Sequence, residues 1–239
     1  MNGIKEALEY IVGLRKPEIM SIGGESYSDK ELRRISFNPK AQPIEMTTLT
    51  SLVEYIKANI DLMNEKMIIH VQSPTKVALY SQLDDERKRE YLVWVEAHTP
   101  EFQYGRYYDH ESFLIALQSK FINNSDRELL LRFAGTVEDK SVTTYGDDGV
   151  TQKATIKTGV ASKTDAIVPN PVVLCPYRTF TEVSQPKSAF VFRMSQDNGG
   201  VKCAIFEADG GAWKNAAMRN IKEYLQAELK DIPQFTVIS

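Results

Sequence analysis

The sequence has few cysteines and histidines, and this shortage limits the chemistry that the protein can support. Its 239 residues include two cysteines, Cys175 and Cys203, and three histidines. Neither cysteine lies in a CxxC or CxxH pattern. Both occur in apolar runs that predict buried free thiols, with a disulfide between neighbouring strands as the alternative. The histidines His70, His98 and His110 form no i, i+4 pair and no HExxH or HxH motif, so the sequence predicts no metal site.

Sequence motifs that mark common enzyme sites are also missing. There is no GxSxG nucleophile elbow, no GxxxxGKS or GxxxxGKT phosphate loop and no GxGxxG dinucleotide fingerprint. The pair Gly210-Gly211 precedes a helical run whose free amides could hold a phosphate, but Asp209 would oppose an anion and suits an N-cap better. A catalytic triad assembled from distant segments stays open, because spacing along the chain cannot reveal one. The sequence therefore favours a protein that is not an enzyme over a hydrolase that uses one of the histidines.

The sequence also lacks a basic excess and long hydrophobic runs. Its 29 lysines and arginines stand against 32 aspartates and glutamates, a formal net charge of −3. Proteins that hold long duplexes through phosphates usually carry a positive excess, so any nucleic-acid contact must come from a local patch. No window reaches the roughly 18 apolar residues that a membrane span needs, and the N-terminal stretch does not resemble a secretory signal. We expect a cytoplasmic protein that does not enter the membrane.

Apolar periodicity predicts a helix-rich N-terminal half. Helical spacing occurs in four segments, residues 2–15, 46–61, 109–121 and 125–137. Thr47 or Thr48 is expected to cap the second of these helices, and the fourth is expected to open at Ser125 or Asp126. Residues 37–45 contain two prolines and no periodicity, which predicts a surface connection. Three β-rich runs follow the second helix and predict a short antiparallel meander, residues 66–72, 76–82 and 90–97.

The residue pattern changes in the C-terminal half and predicts β-hairpins there. Thr and Val alternate on both sides of residues 146–149, and the Asn198-Gly199 pair lies between two alternating runs, a pairing favoured at two-residue hairpin turns. Residues 166–180 are apolar but broken by prolines, which suits an edge strand. A helical run over residues 212–230 follows, and residues 235–239 predict a last strand.

These elements define the expected fold class and domain organisation. The fold class is α+β, with a helix-rich N-terminal half that contains a short antiparallel meander and a hairpin-rich C-terminal half closed by a C-terminal helix. No flexible linker and no internal repeat interrupts the chain. We therefore expect residues 1–239 to form a single compact unit, with a subdivision into 1–136 and 137–239 as the alternative.

One helix start has a purely structural explanation. Asp109 can cap a helix that begins at His110, because a side-chain oxygen at this position accepts a hydrogen bond from the first helical turn. Tyr108 before the cap and Phe113 in the first turn have the spacing of a hydrophobic staple. The cluster of polar and aromatic residues at this point therefore predicts a capped helix and not a metal site.

The segment before this helix combines basic and aromatic side chains. Tyr104, Arg106 and Tyr107 lie within four residues, and such a set can stack on nucleobases. Aromatic loops of this kind also occur in cores and at subunit interfaces, so that alternative stays open. Arg178, which follows Tyr177, adds one more charge beside aromatic rings.

The predicted hairpin around residues 146–149 offers a mildly basic face. Lys153 and Lys157 are separated by an even number of residues, so both side chains leave the same face of a strand, together with Thr155. Such a face can follow a phosphate backbone, and a solvated sheet surface is the plainer alternative. The candidate ligand-binding residues from the sequence are therefore Tyr104, Arg106, Tyr107, Lys153, Lys157 and Arg178.

Several segments resemble one family of bacteriophage and prophage proteins. They read PEIMSIGGESYSDKEL, TTLTSLVEYIKANID, IIHVQSPTKVALYSQL, QKATIKTGVASKTDAIVPNPVVLCPYRTF and FEADGGAW, and they span most of the chain. In their order they are similar to the YfdQ-like family, a domain of unknown function, in the version carried by phages of Gram-positive bacteria. The resemblance implies a phage-encoded cytoplasmic protein whose gene lies among early replication and recombination functions. It implies no catalytic residue.

Together these observations predict a non-enzymatic binding protein of phage early metabolism that forms a homo-oligomer. Its ligand would be single-stranded nucleic acid or a nucleotide, in replication, recombination or counter-defence. The alternative is a virion-associated or assembly protein, for which the N-terminal helix and the proline-broken strand would serve as interface elements. We expect no cofactor and no membrane contact.

Overall fold

The computed structural model describes the chain in eight stretches, residues 2–13, 17–22, 25–30, 40–144, 152–157, 163–167, 169–197 and 200–239. They belong to two units, residues 1–40 and 41–239. The described stretches contain five helices and 14 strands, which confirms the predicted α+β class. None of the described helices is long and apolar enough to cross a membrane.

The smaller unit consists of one helix and one pair of strands. Helix α1 (Asn2–Gly13) begins where the sequence predicts, and residues 14–15 of the predicted helix lie outside the described stretches. Strands β1 (Ile19–Ile22) and β2 (Glu25–Ser28) pair antiparallel, with Met20 opposite Tyr27. Every apolar side chain described in this unit is exposed.

The larger unit contains four helices and 12 strands among its described residues. In chain order they are β3 (Ile44–Met46), α2 (Leu49–Ala58), β4 (Met67–Ser73), β5 (Lys76–Ser81), β6 (Tyr91–Glu96), β7 (Tyr108–Asp109), α3 (His110–Lys120), α4 (Ser125–Thr136), β8 (Val137–Thr144), β9 (Gln152–Lys157), β10 (Lys163–Ile167), β11 (Val172–Leu174), β12 (Ser188–Asp197), β13 (Gly200–Glu207), α5 (Ala212–Glu228) and β14 (Phe235–Ile238). The strands form three sheets, in the orders β14-β4-β5-β6-β3, β11-β12-β13-β7 and β10-β9-β8.

The predicted meander forms the centre of the five-stranded sheet. Strands β4, β5 and β6 run antiparallel, as the sequence predicts, while β14 and β3 join the two edges in parallel with β4 and β6. Residues 40–45 lie at the surface, as predicted, but strand β3 begins within this segment. The sequence misses β3 because a three-residue strand is too short to show alternation. Helix α2 begins at Leu49 and not at residue 46, since the Thr48 side chain accepts a hydrogen bond from the Ser51 N–H at 3.1 Å.

Polar side chains mark the starts of helices α3 and α4. Asp109 caps α3 as predicted and accepts a hydrogen bond from the Ser112 N–H at 2.9 Å. Helix α4 begins at Ser125, as predicted, and its N-cap is Asn124. Asp126 instead accepts a hydrogen bond from the Val173 N–H at 2.7 Å and so ties α4 to β11.

The C-terminal hairpins confirm the predicted strand runs. Strands β12 and β13 pair antiparallel along their lengths, and β8 pairs with β9. The turns predicted at Asn198-Gly199 and at residues 146–149 lie outside the described stretches. Strand β11 is an edge strand of the four-stranded sheet, as the prolines of residues 166–180 predict.

Two apolar cores hold the larger unit together. The first lies between α2, α5 and one face of the five-stranded sheet, and the second lies between α3, α4 and the four-stranded sheet. The first core combines Leu52 and Ile69 with Phe180 and Ile221, so both halves of the chain contribute to it. The two units of the chain adjoin at residue 40. The expectation of a single compact unit over residues 1–239, with a subdivision into 1–136 and 137–239 as the alternative, stays a prediction.

Candidate functional site

The five-stranded sheet has one face packed against helices and one face turned away from them. Ile69, Val77 and Val95 belong to the first core beneath α2 and α5. Because strand side chains alternate between the two faces, the residues between these positions point the other way. One row of paired positions crosses all five strands on this opposite side, which we call the open face: Ile238, His70, Ala78, Trp94 and Glu45.

Four rings lie side by side on the open face, and we call His70, Tyr80, Tyr91 and Trp94 the aromatic ladder. Tyr91 and Trp94 stack with centroids 4.9 Å apart and an interplanar angle of 13°. Tyr80 meets Tyr91 edge-on at 5.3 Å, and His70 meets Tyr80 at 6.3 Å. Tyr91 is 41% exposed and Trp94 is 37% exposed, so the outer end of the ladder is open to contact.

A β-bulge places the two outer rings on the same side of the sheet. Tyr91 and Trp94 are three residues apart, and a regular strand would turn them to opposite faces. The register between β5 and β6 shifts so that Tyr91 pairs with Tyr80 and Val93 with Leu79. The extra residue, Leu92, packs against the first core instead. The bulge therefore re-aims one side chain and completes the ladder.

Two cationic side chains lie close to the ladder. The Arg89 guanidinium sits 5.2 Å from the centroid of the Tyr80 ring. At the other end of β5, Lys76 pairs with Glu96 at 3.1 Å, and both side chains are more than half exposed. An exposed pair of this kind contributes at most about 1 kcal/mol, so Lys76 can exchange partners readily. Lys76, Glu96, Glu45 and Trp94 border a shallow depression of about 300 Å³.

Two residues that the sequence singles out meet in the interior of the larger unit. The Tyr104 ring stacks on Phe190 with centroids 5.5 Å apart. The Arg178 guanidinium lies 5.8 Å from the Tyr104 centroid, and Arg178 is only 7% exposed. Burial raises the pKa of Tyr104 to about 12 and lowers the pKa of Arg178. Tyr104 is therefore a neutral ring that packs beside a buried cation.

The charge of Arg178 is matched inside the protein. Its guanidinium stacks over Trp213 at 3.9 Å, and its Nη1 donates to Glu207 Oε1 at 2.7 Å. Its Nη2 donates to Ser188 Oγ, which in turn donates to Asp209 Oδ2 at 2.7 Å. We call these five residues the arginine cluster. This geometry favours a structural role for Arg178, and ligand binding by Arg178 stays a prediction.

Asp209 belongs to this cluster and lies two residues before the N-cap position of α5. Gly211 holds the N-cap position at φ 82°, which corrects the prediction, and Asp209 Oδ1 accepts a hydrogen bond from the Gly211 N–H at 3.0 Å. Burial alone would raise the pKa of Asp209. Hydrogen bonds from Ser188 and from the Gly211 and Trp213 N–H groups, together with the Arg178 charge, outweigh burial and hold that pKa below its ordinary value.

We expect acid to weaken the larger unit in part through Asp209. A carboxyl whose pKa is lower in the folded than in the unfolded state stabilises the fold above its ordinary pKa of 3.8. That stabilisation is lost as the pH falls through the lower, folded pKa. The free energy of unfolding should therefore fall more steeply for the wild type than for Asp209→Asn between about pH 5 and pH 2. Chemical denaturation at several pH values measures this, and parallel curves for the two proteins would contradict it.

The other sequence-predicted residues lie at the surface or outside the described side chains. Arg106 is exposed, and its Nη1 donates to Gln103 Oε1 at 2.5 Å. Tyr107 is 45% exposed and meets Phe206 edge-on at 6.4 Å. Ligand binding by Arg106 and Tyr107 stays a prediction.

Two further candidates, Lys153 and Lys157, lie on the same strand, β9, as the sequence predicts. Their side chains are outside the part of the chain whose side chains are described. The structure thus brings Tyr104 and Arg178 together, while the described contacts of Arg106 and Tyr107 are with Gln103 and Phe206.

The described side chains also bear on catalysis. No group of three or more His, Cys, Asp or Glu side chains suited to a metal ion occurs among them. His110 Nε2 lies 2.7 Å from the Ala134 carbonyl oxygen and so links α3 to α4. Cys175 and Cys203 are free and buried, as predicted, and the disulfide alternative is wrong. Burial raises the pKa of Cys203 to about 12, so its thiol is not a ready nucleophile.

Comparison with known proteins gives no further guide to the site. The chain matches no model of a known protein family, no curated protein and no solved structure. The resemblance to the YfdQ-like family therefore stays a prediction.

Sequence reasoning locates the strands of the aromatic ladder but misses the ladder itself. Trp94 lies between Val93 and Val95, and Tyr80 follows Leu79, so simple alternation already turns both rings away from the core valines and leucine. That signal was available in the sequence. The sequence does not show the position of Tyr91, because only the bulge brings the Tyr91 ring to the same side of the sheet.

Proposed function

We propose that this chain is a non-enzymatic binding protein that holds nucleobases, of single-stranded nucleic acid or of a nucleotide, on the open face. The observation that carries the proposal is the aromatic ladder, whose outer rings, Tyr91 and Trp94, are exposed on the surface of a sheet. Bases stack on such rings with little regard to sequence, because every base has an aromatic face. A rigid sheet also holds the rings in place before the ligand arrives, which lowers the entropic cost of binding.

The charges around the ladder suit a ligand held mainly by stacking. Arg89 and Lys76 can each meet one phosphate, and the chain as a whole carries a net charge of −3. With one or two phosphate contacts, the logarithm of the binding constant should fall with the logarithm of salt concentration at a slope of about −0.7 to −1.4. Such a shallow slope would separate this mode of binding from an electrostatic groove.

Several potentially reactive side chains are buried or hydrogen-bonded within the protein, which supports a role without catalysis. Both cysteines are buried, and His110 is engaged with a backbone carbonyl. The resemblance to the YfdQ-like family adds the setting that we propose, which is phage replication, recombination or counter-defence in the host cytoplasm. The hydrolase remains the less favoured alternative.

The decisive experiment compares two surfaces of the same chain. A fluorescently labelled oligothymidylate is titrated with the wild type, with Trp94→Leu and with the double variant Arg106→Gln/Tyr107→Leu. Loss of one stacking ring costs about 1–3 kcal/mol, so Trp94→Leu should bind roughly 5- to 150-fold more weakly. The double variant, which alters exposed residues away from the ladder, should bind like the wild type.

Intrinsic fluorescence gives an independent reading of the same contact. Trp94 and Trp213 are the two tryptophans of the chain. In Trp213→Phe, therefore, Trp94 is the sole tryptophan reporter, and a base that stacks on it should quench its emission. If the double variant lost binding while Trp94→Leu kept it, the binding site would lie at the loop of Arg106 and Tyr107 instead. No binding of oligothymidylate or of mononucleotides at low salt would reject the proposal.

A further inference from the structure

Helix α1 carries a continuous apolar stripe that is open to solvent. Ile4, Leu8, Ile11 and Val12 recur at the spacing that places side chains on one side of a helix. Their exposed fractions are 73%, 56%, 56% and 58%. A surface helix normally turns such a stripe towards a core, so this one is suited to burial against another surface.

The strands of the smaller unit repeat the pattern. Met20 and Ile22 are two residues apart on β1 and therefore share a face. Each of them is 60% exposed. The unit thus presents two apolar surfaces, one on its helix and one on its strands, and no described side chain within it is buried.

Elements of this size need a partner to persist in water. An isolated helix shorter than about 12–15 residues is marginally stable at best, and so is a single pair of strands. Chains below about 40 residues seldom bury enough surface to hold a fold without an added support. The support must therefore come from burial of the apolar stripe and of the β1 face.

We propose that the smaller unit is a self-association element, which pairs with the smaller unit of a second copy. The six apolar side chains of α1 and β1 each offer roughly 100 Å² of surface, which makes about 1,200 Å² for two copies together. That total reaches the lower bound for a specific interface between proteins. A closed pair would satisfy both copies, because each contributes the same surfaces to a two-fold contact.

The charge of the unit favours an identical partner. Residues 1–40 contain seven lysines and arginines and six aspartates and glutamates. Two copies therefore do not repel one another, and no excess of one sign marks the unit as a site for an oppositely charged partner. Self-association rests on the smaller unit and base binding on the larger one, so the two proposals can fail separately.

Light scattering of the full chain after size exclusion tests the proposal. The wild type should have twice the chain mass of 27.1 kDa. Leu8→Lys places a charge in the centre of the stripe and should raise the dissociation constant at least about tenfold, because a charge without a partner resists burial. Lysine and leucine have similar helix propensities, so a loss of the dimer would not reflect a lower intrinsic tendency to form the helix. Glu6→Lys introduces the same side chain on the opposite side of α1 and should leave the dimer mass unchanged.

Three results would overturn this proposal. The first is a wild type with the mass of one chain at every concentration tested. The second is a Leu8→Lys variant that dimerises as tightly as the wild type, which would place the interface elsewhere. The third is equal weakening by Leu8→Lys and Glu6→Lys, which would make charge and not the stripe responsible. Oligothymidylate binding measured on the same samples reports separately on the open face.

Discussion

Replacement of Arg178 by alanine should lower the free energy of unfolding of the larger unit by about 2–4 kcal/mol. Removal of one partner from a buried ion pair costs more than the pair itself contributes, because the remaining charge stays in place without compensation. Here the remaining charges are those of Glu207 and Asp209. The Glu207 side chain is 37% exposed and regains some water, which keeps the loss below that of a fully buried pair. The contact over the Trp213 ring is lost as well.

Urea denaturation, followed by circular dichroism and by tryptophan emission, measures this loss. Arg178→Lys should recover only part of the stability, because an ammonium cannot reproduce the planar fork that meets Glu207 and Ser188. The matched control is Arg106→Ala, an exposed arginine, which should stay within about 0.5 kcal/mol of the wild type. Equal effects of Arg178→Ala and Arg106→Ala would show that the arginine cluster does not stabilise the fold.

Replacement of Phe113 by alanine should cost about 3–5 kcal/mol of unfolding free energy. Phe113 is fully buried and stacks on Phe192 with centroids 5.6 Å apart and an interplanar angle of 20°. This contact joins α3 to β12 across the second core. Truncation to alanine leaves a cavity among rigid neighbours, and the surrounding side chains recover only part of the lost packing.

The control for this variant lies on the same helix. Ile115 is two residues further along α3 and is 57% exposed. Ile115→Ala should therefore change the stability by no more than about 0.5 kcal/mol. The denaturation midpoint of Phe113→Ala should fall with an unchanged slope, which indicates lost stability and an unaltered denatured state. A Phe113→Ala midpoint close to that of Ile115→Ala would contradict the proposed packing of the second core.

Local chemistry explains which elements the sequence predicts well. The start of α3 at Asp109 depends on neighbours in the chain, and so does the cap at Thr48, which the sequence places to within one residue. Strand β3 has no such local signal, because it exists through pairing with β6, some 50 residues away. Asn124 caps α4 by accepting a hydrogen bond from the Arg127 N–H, and Asp126 in the first turn contacts β11, which no local pattern predicts.

Local sequence likewise predicts some features of the candidate site and misses others. The sequence shows that Tyr104 and Arg178 combine ring and charge, but the partners of Arg178 in Glu207 and Trp213 lie about 30 residues or more away in the chain. Whether a basic and aromatic pair faces a ligand or the interior is decided by such distant partners. Periodicity predicts the direction of Trp94, and a bulge, which periodicity cannot show, decides that of Tyr91.

The parallel pairing of β14 with β4 also has a consequence for synthesis on the ribosome. The chain completes β4, β5 and β6 by residue 96, yet the neighbour of β4 is supplied by residues 235–238. The backbone edge of β4 therefore has no β14 to pair with until nearly 140 further residues have been translated. Sheets that depend on such distant pairing form slowly and leave an edge available to other nascent chains. Strand β14, which covers this edge, is thus synthesised long after β4.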